Sequence, residues 1–205
     1  MSELAKVLHH PDMKRLVRAL NAMRHTPDQT EMREAAVVLI LRAAEAESLE
    51  LLLILRAEFE GDPWSGNIGL PGGHRDPGDT SLEDAVVRET HEEIGVDLVR
   101  DGRILGRLSE VRPMSADIPG IMVVPYVAVV RPDVQIAPGP EVAAAFWVPL
   151  ARLRQPDLWG EATVTVRGGP RQVLCFRHGK HIVWGLTERI LRELLELLTR
   201  TNPHI

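Results

Sequence analysis

Cysteine is almost absent: Cys175 stands alone in 205 residues, so no internal disulfide can form, and the usage suits a reducing cytoplasm. Between Leu174 and Phe176 in a strand-like run, its thiol is expected to be packed or half-packed. No apolar run approaches the ~20 residues needed to span a bilayer. The longest, Ala35 to Leu41 and Leu49 to Leu55, are strand-sized. Lys6, His9, His10 and Asp12 interrupt any apolar signal core near the N-terminus. Basic residues are also in deficit, 24 Lys and Arg against 29 Asp and Glu, giving a net charge of −5. That balance argues against a nucleic-acid backbone as partner. These absences predict a cytoplasmic protein without a membrane or nucleic-acid partner. Internal repeats and low-complexity segments are missing too.

What is present is ordinary for a globular chain: 44% hydrophobic and 26% charged residues, enough for one domain with a real core. Residues 1–24 carry helical periodicity through Leu4, Val7, Leu8, Leu16, Val17, Leu20 and Met23, with Pro11 breaking or restarting the helix. Thr26-Pro27-Asp28 is a linker. The near-continuous runs at 35–41 and 49–55 mark strands covered on both faces, paired as a hairpin at the centre of a sheet. Residues 60–80 have the Gly/Pro content of an ordered loop anchored by Trp64, Ile68 and Leu70. Thr80-Ser81-Leu82-Glu83 looks like a capping box opening a helix to about Ile94, with Leu82, Ala85, Val86 and Thr90 as its buried stripe. Strands are expected at 103–108, 121–130 and 145–148. A hairpin is expected where 163–166 and 172–176 flank Gly168-Gly169-Pro170, and a final helix from Leu186 to Thr199. This order predicts a mixed α/β domain over 31–205 with a helical extension at 1–30.

The chemistry concentrates in Arg88-Glu89-Thr90-His91-Glu92-Glu93-Ile94-Gly95-Val96, preceded by Gly72-Gly73. Glu89, Glu92 and Glu93 fall at i, i+3 and i+4 and share one helix face. Like charges at that spacing cost roughly 0.2–0.5 kcal/mol per pair. Two of them sit just before Gly95, a C-cap position where the macrodipole disfavours anions. A divalent cation reverses the sign of each of these terms. Gly72 and Gly73 let backbone approach a ligand closely, and a carbonyl there can bind a hard cation. Such a cluster neutralises a pyrophosphate and generates a water nucleophile, so the residues point to metal-assisted hydrolysis of a phosphoanhydride. The alternative for the glutamates is a solvated helix face.

These residues resemble the signature of the Nudix hydrolases: Gly, five residues, Glu, seven residues, then Arg-Glu-hydrophobic-x-Glu-Glu-x-Gly-hydrophobic. Gly73 matches the first position, and Arg88, Glu89, Glu92, Glu93, Gly95 and Val96 match the second half. The sequence departs where Asp79 stands for the early Glu, separated from Arg88 by eight residues and not seven, and where Thr90 holds a usually aliphatic position. The resemblance implies an α/β/α sandwich with a mixed sheet and hydrolysis of a nucleoside diphosphate linked to another moiety. It further implies Mg2+ or Mn2+ held by Glu89, Glu92, Glu93 and the Gly73 carbonyl, with Arg88 orienting Glu89. A small nucleotide is the implied substrate, and a homodimer is the assembly it suggests. Asp79 reads otherwise as a loop or N-cap residue and His91 as solvent-facing.

Leu52-Leu53-Ile54-Leu55-Arg56 and Gly66-Asn67-Ile68-Gly69-Leu70-Pro71-Gly72-Gly73 resemble the extended motif of the coenzyme A pyrophosphatase branch. The segments at 124–127, 140–142, 146–150 and 183–187 also fit that branch. Its second Arg falls at Asp62, whose charge would repel a coenzyme A phosphate. Nucleotide sugars, dinucleotides and nucleoside triphosphates are therefore the alternative substrates, and a non-catalytic ligand sensor is the alternative use of the fold. Among the candidate substrate contacts, besides Gly72 and Gly73, Arg56 either meets phosphate or ends a strand at the surface. Trp64 either stacks on a base or packs under its loop. Glu141 is at the position where the family places an additional carboxylate, as general base or fourth ligand, and is otherwise a loop residue. Trp147 and Trp184 are expected in the core or an interface. Arg167, Arg171, Arg177 and Lys180 are expected to face solvent.

Overall fold

The computed structural model describes residues 3–23, 33–44, 48–60, 64–113, 120–166 and 169–199. Two helices, α1 (Glu3–His9) and α2 (Pro11–Ala22), lead into strands β1 (Arg33–Ala43), β2 (Leu49–Arg56), β3 (Ile68–Gly69) and β4 (Gly72–His74). Helix α3 (Leu82–Ile94) and the short α4 (Leu98–Asp101) follow, then β5 (Gly102–Arg107), β6 (Ile121–Val130) and β7 (Val142–Pro149). The chain continues through α5 (Leu150–Leu153), β8 (Trp159–Val166), β9 (Gly169–His178), β10 (His181–Trp184) and α6 (Gly185–Thr199).

The two apolar runs become the middle of a mixed sheet of order β3-β2-β1-β6-β5, with β4 added to β1 and β7 to β2. β1 pairs antiparallel with β2 (Leu41 opposite Leu51) and parallel with β6 (Leu39 opposite Val127). Because strand side chains alternate, the continuous runs serve two cores at once. Leu39, Leu41, Leu51, Leu53, Val127 and Val129 face one core, shared with Val7, Met13, Leu16 and Leu20 of α1 and α2 and with the leucines of α6. Ala36, Val38, Ile40, Leu52, Ile54, Val124 and Ala128 face the other, closed by Val86 and Ile94 of α3. This is a helix–sheet–helix sandwich.

Pro11 does restart the first helix. It sits at N1, behind His10, whose Nδ1 accepts a hydrogen bond from the Asp12 backbone N–H. The linker expected at 26–28 lies outside the described residues. The hairpin expected near 168 forms, with Val166 opposite Gly169, but not as part of the main sheet. It joins β10 in a separate three-stranded sheet, order β10-β9-β8, packed on α6 through Phe176 and Val183. Cys175, on β9, is fully buried. Arg171 and Lys180 are exposed and Arg177 half-exposed, while Arg167 lies outside the described residues.

Helix α3 buries Ala85, Val86, Thr90, Glu93 and Ile94, whereas Leu82 is only partly covered. Thr90 is 0% exposed, and its hydroxyl has no hydrogen-bond partner among the described residues. A buried hydroxyl without a partner costs about 1–3 kcal/mol. Thr90→Val keeps the β-branched shape and removes that cost. It should raise the unfolding free energy by about 1 kcal/mol in urea titrations; unchanged or lower stability would show that the hydroxyl is satisfied.

Candidate active site

Helix α3 is aimed by its caps. The N-cap is Ser81, whose hydroxyl accepts from the Asp84 N–H at 3.1 Å, so the capping pair is Ser81 and Asp84 and not the expected Thr80 and Glu83. The Thr80 hydroxyl instead donates to the Asp84 carboxylate, which stays ionised below its usual range through that bond and the one from Ser81. At the other end Gly95 adopts the left-handed conformation, φ 71°, and its N–H reaches the His91 carbonyl at 2.9 Å. The last turn therefore presents Glu89, Glu92 and Glu93 together, with His91 exposed on the outer side.

Glu93 is the deepest of the three, 4% exposed. Its Oε2 accepts the Gly72 backbone N–H at 2.8 Å and its Oε1 lies 3.4 Å from Arg56 Nη1 at the end of β2. The glycine pair makes this approach possible. Gly72 has φ 137°, and a Cβ there would stand 2.1 Å from the Ala36 carbonyl oxygen. A Cβ on Gly73 would meet the Glu89 carboxyl carbon at 2.5 Å. β4, paired to β1 at Val37–Gly72 and Ala36–Gly73, thus lies directly beneath two of the carboxylates. Arg56 is engaged with a site carboxylate and does not simply end its strand at the surface.

Arg88 ties the cluster to the preceding loop. Its Nε and Nη2 grip the two oxygens of Asp79 at 3.2 and 2.9 Å, a bidentate pair, and Nη2 also reaches the His74 carbonyl at 3.1 Å. Its Nη1 donates to Glu89 Oε1 at 3.0 Å and to Glu92 Oε2 at 3.2 Å. Asp79 is thus neither an idle loop residue nor the helix N-cap. The hydrogen bond from Arg88 holds its carboxyl below the usual range, and the same bond raises the Arg88 guanidinium.

Glu141 arrives from the other side. The segment before it is pinned to the end of α3 by Ala137 N–H to the Ile94 carbonyl (2.9 Å) and Gly139 N–H to the Glu93 carbonyl (2.8 Å). A Cβ on Gly139 would collide with the Glu92 carbonyl oxygen at 2.4 Å. The Glu141 carbonyl accepts the Ala57 N–H at 2.9 Å, leaving its side chain exposed beside the cluster. Glu89, Glu92, Glu93, Pro140 and Glu141 line a cavity of about 150 Å3. At ~30 Å3 per water that is room for about five waters or a hydrated ion, and not for a nucleotide. The body of any nucleotide must lie outside, over the neighbouring loops.

The donor set fits a hard divalent cation. It offers carboxylate oxygens of Glu89, Glu92, Glu93 and Glu141 and no sulfur, and among the described residues Arg56 and Arg88 are the counter-charges in direct contact. Among the described residues no group of three or more His, Cys, Asp or Glu side chains is gathered closely enough to hold a metal ion, so ligation by all three glutamates requires their side chains to turn inward.

Sequence patterns alone do not point to several supporting contacts. Trp184 Nε1 donates to Asn67 Oδ1 at 3.2 Å and links the small sheet to the loop before β3. Trp64 is half-buried in that loop, its carbonyl accepting the Asn67 N–H at 3.2 Å. Trp147 packs against the α3-side core with Arg42 stacked 4.0 Å over its ring. Asp62 lies outside the described residues.

Burial drives the Glu93 carboxyl up to about 7, only partly opposed by the Gly72 N–H and Arg56, and the charges of Glu89 and Glu141 push it the same way. Burial raises Glu89 as well. Folded Glu93 therefore keeps a proton that the unfolded chain has released between pH 4.5 and about 7. Its contribution to stability is fully present below pH 4.5 and is lost as pH rises through about 7. In EDTA, the unfolding free energy of wild type minus that of Glu93→Gln should fall by about 3 kcal/mol across that window. A flat difference would show that Glu93 titrates normally.

The NUDIX domain family model matches residues 32–167. The protein named "Uncharacterized Nudix hydrolase NudL" from Enterobacter sp. (strain 638) is 33% identical over 170 residues, covering 82% of this chain and 83% of its own. The protein of the same name from Photorhabdus laumondii subsp. laumondii is 29% identical over 146 residues, 71% of this chain and 75% of its own. In fold the chain is similar to a MutT/nudix family protein from Enterococcus faecalis, with a TM-score of 0.56 at 21% identity. That likeness covers 84% of this chain and 64% of the Enterococcus chain. Nudix hydrolases cleave the pyrophosphate bond of nucleotide derivatives, generally with divalent cations, and the carboxylate-lined cavity at the end of α3 suits that chemistry. The chain belongs to the Nudix hydrolase family and is a pyrophosphohydrolase.

Proposed function

We propose that the protein hydrolyses the pyrophosphate of coenzyme A or a derivative, using Mg2+ or Mn2+ held by Glu89, Glu92, Glu93 and the Gly73 carbonyl. When bound, such a cation neutralises the pyrophosphate and lowers the pKa of water. The protein's own groups do the rest. Arg88, locked by Asp79, holds Glu89 and Glu92 in register. The Gly72 N–H and Arg56 hold Glu93. Glu141, exposed at the cavity mouth, accepts a proton from the attacking water.

The observation that carries the coenzyme A reading is the pairing of the two halves of the branch-like motif. Ile54 and Leu55 of β2 lie opposite Gly69 and Ile68 of β3, and the Arg56 N–H reaches the Asn67 carbonyl at 3.0 Å. Arg56 is thereby carried to the cavity edge, where a substrate phosphate exchanges one anionic partner for another. Trp64, in the turn that leads into β3, offers a ring on which an adenine base stacks outside the small cavity.

Hydrolysis of a panel containing coenzyme A, a nucleotide sugar, a dinucleotide and a nucleoside triphosphate, with Mg2+ or Mn2+, tests this. Coenzyme A should be the best substrate, cleaved into two phosphomonoesters. Glu92→Gln should lower kcat by on the order of a hundredfold, the scale for losing one charge-stabilising group. Turnover that survives the substitution sinks the metal site. Cleavage of a nucleotide sugar with coenzyme A untouched sinks the substrate, and Asp62 is then the first residue to exchange.

A further inference from the structure

One cavity lies away from the carboxylate cluster. A groove of about 400 Å3 lies between α1 and α2 on one wall and β5 on the other. Its apolar floor includes Val17 and Ile104, and its polar lining is Lys14, Arg18, Asn21 and Arg103. Lys14 and Arg18 stand one helical turn apart on α2, a like-charge i,i+4 pair, and Arg103 projects a third cation from β5. None of these three side chains has an ion-pair or hydrogen-bond partner among the described residues.

Their neighbours behave differently. Arg15, on the same helix, lies 3.8 Å from Asp12, and Arg154 reaches that carboxylate at 2.8 Å. Arg107, farther along β5, lies 3.6 Å from Glu110. In a chain of net charge −5, carboxylates have paired the cations around the groove and left those lining it bare. All three are solvent-exposed, so water screens their mutual repulsion in the free protein, and a bound anion turns it into attraction. The walls are built to hold their spacing. Gly106 of β5 has φ 151°, and Leu20 of α2 packs over it where a Cβ would stand 3.4 Å away.

We propose that this groove binds a small phosphomonoester carrying an apolar portion, at a site separate from the catalytic cavity. Three cations and an amide match a group with roughly two negative charges and three acceptor oxygens. At ~30 Å3 per water the volume takes about a dozen heavy atoms, so inorganic phosphate alone would leave the apolar floor wet. Hydrolysis of a pyrophosphate releases phosphomonoesters, so the ligand is of a class this family's reaction generates. The groove itself stands on its own residues and does not depend on which nucleotide is cleaved.

The test is calorimetric titration of the full-length protein, at low salt, with hexyl phosphate, inorganic phosphate, 1-hexanol and hexanoate. Hexyl phosphate should bind saturably and at least tenfold more tightly than the other three. Arg18→Gln/Arg103→Gln should weaken it at least tenfold, and Lys14→Gln alone several-fold, with the circular dichroism spectrum and nucleotide hydrolysis unchanged. Glu92→Gln should bind it as wild type does. The proposal is overturned by the absence of saturable binding at millimolar concentration, or by equal binding of hexanoate. It is also overturned if the groove variants retain wild-type affinity while Glu92→Gln loses it.

Discussion

The contact on which the site depends is the bond between a buried carboxylate and a backbone amide: Glu93 Oε2 on the Gly72 N–H, 2.8 Å, with the side chain 4% exposed. A carboxylate is costly to bury, and here one neutral donor and one arginine offset only part of that cost. To make the bond, β4 must run directly under the last turn of α3, where a Cβ on Gly73 would meet Glu89, and close against β1, where a Cβ on Gly72 would strike the Ala36 carbonyl. It also fixes the approach of β2, because Arg56 must reach the other oxygen of the same group. Three elements, α3, β4 and β2, are positioned around one ionisable group.

The surrounding charges extend that constraint. Arg88 serves three carboxylates at once, with the bidentate pair to Asp79 as its anchor and Glu89 and Glu92 at its free nitrogen. Glu141 brings a fourth acidic side chain to the cavity from a segment hydrogen-bonded to the end of α3. The assembly places more negative charge around a small space than its arginines neutralise, at the helix end where the macrodipole adds to the cost. On the proposed reading, a bound divalent cation is what resolves this. The groove between α2 and β5 shows the converse, cations gathered without partners among the described residues of an otherwise acidic protein.

Much of this was legible in the chain because the signals are local. The runs at 35–41 and 49–55 read as strands covered on both faces, and their odd and even residues do serve two different cores. The catalytic helix was legible from the spacing of its glutamates and from Gly95. The capping pair lies one residue past the expected one, because Thr80-Glu83 and Ser81-Asp84 both fit the pattern and only the backbone decides between them. The separate small sheet was not legible: β8 and β9 are a good local hairpin, but which sheet it joins depends on contacts with β10 and α6, far along the chain or in space. The pinning of Gly139 and the Asn67–Trp184 bond are long-range in the same way, while the Asp79–Arg88 pair is local but set by the loop geometry between them, and no periodicity encodes any of the three.

The central claim is that these carboxylates are held together at a cost which a divalent cation relieves. The most direct measurement is thermal unfolding at pH 7.5 with and without Mn2+, for wild type and for the Glu89→Gln/Glu93→Gln double variant. At a hundredfold excess over Kd, the cation should raise the wild-type Tm by roughly 5–10 °C. The double variant should be more stable than wild type in EDTA and nearly indifferent to Mn2+. An equal rise in both proteins, or none in wild type, would contradict the account.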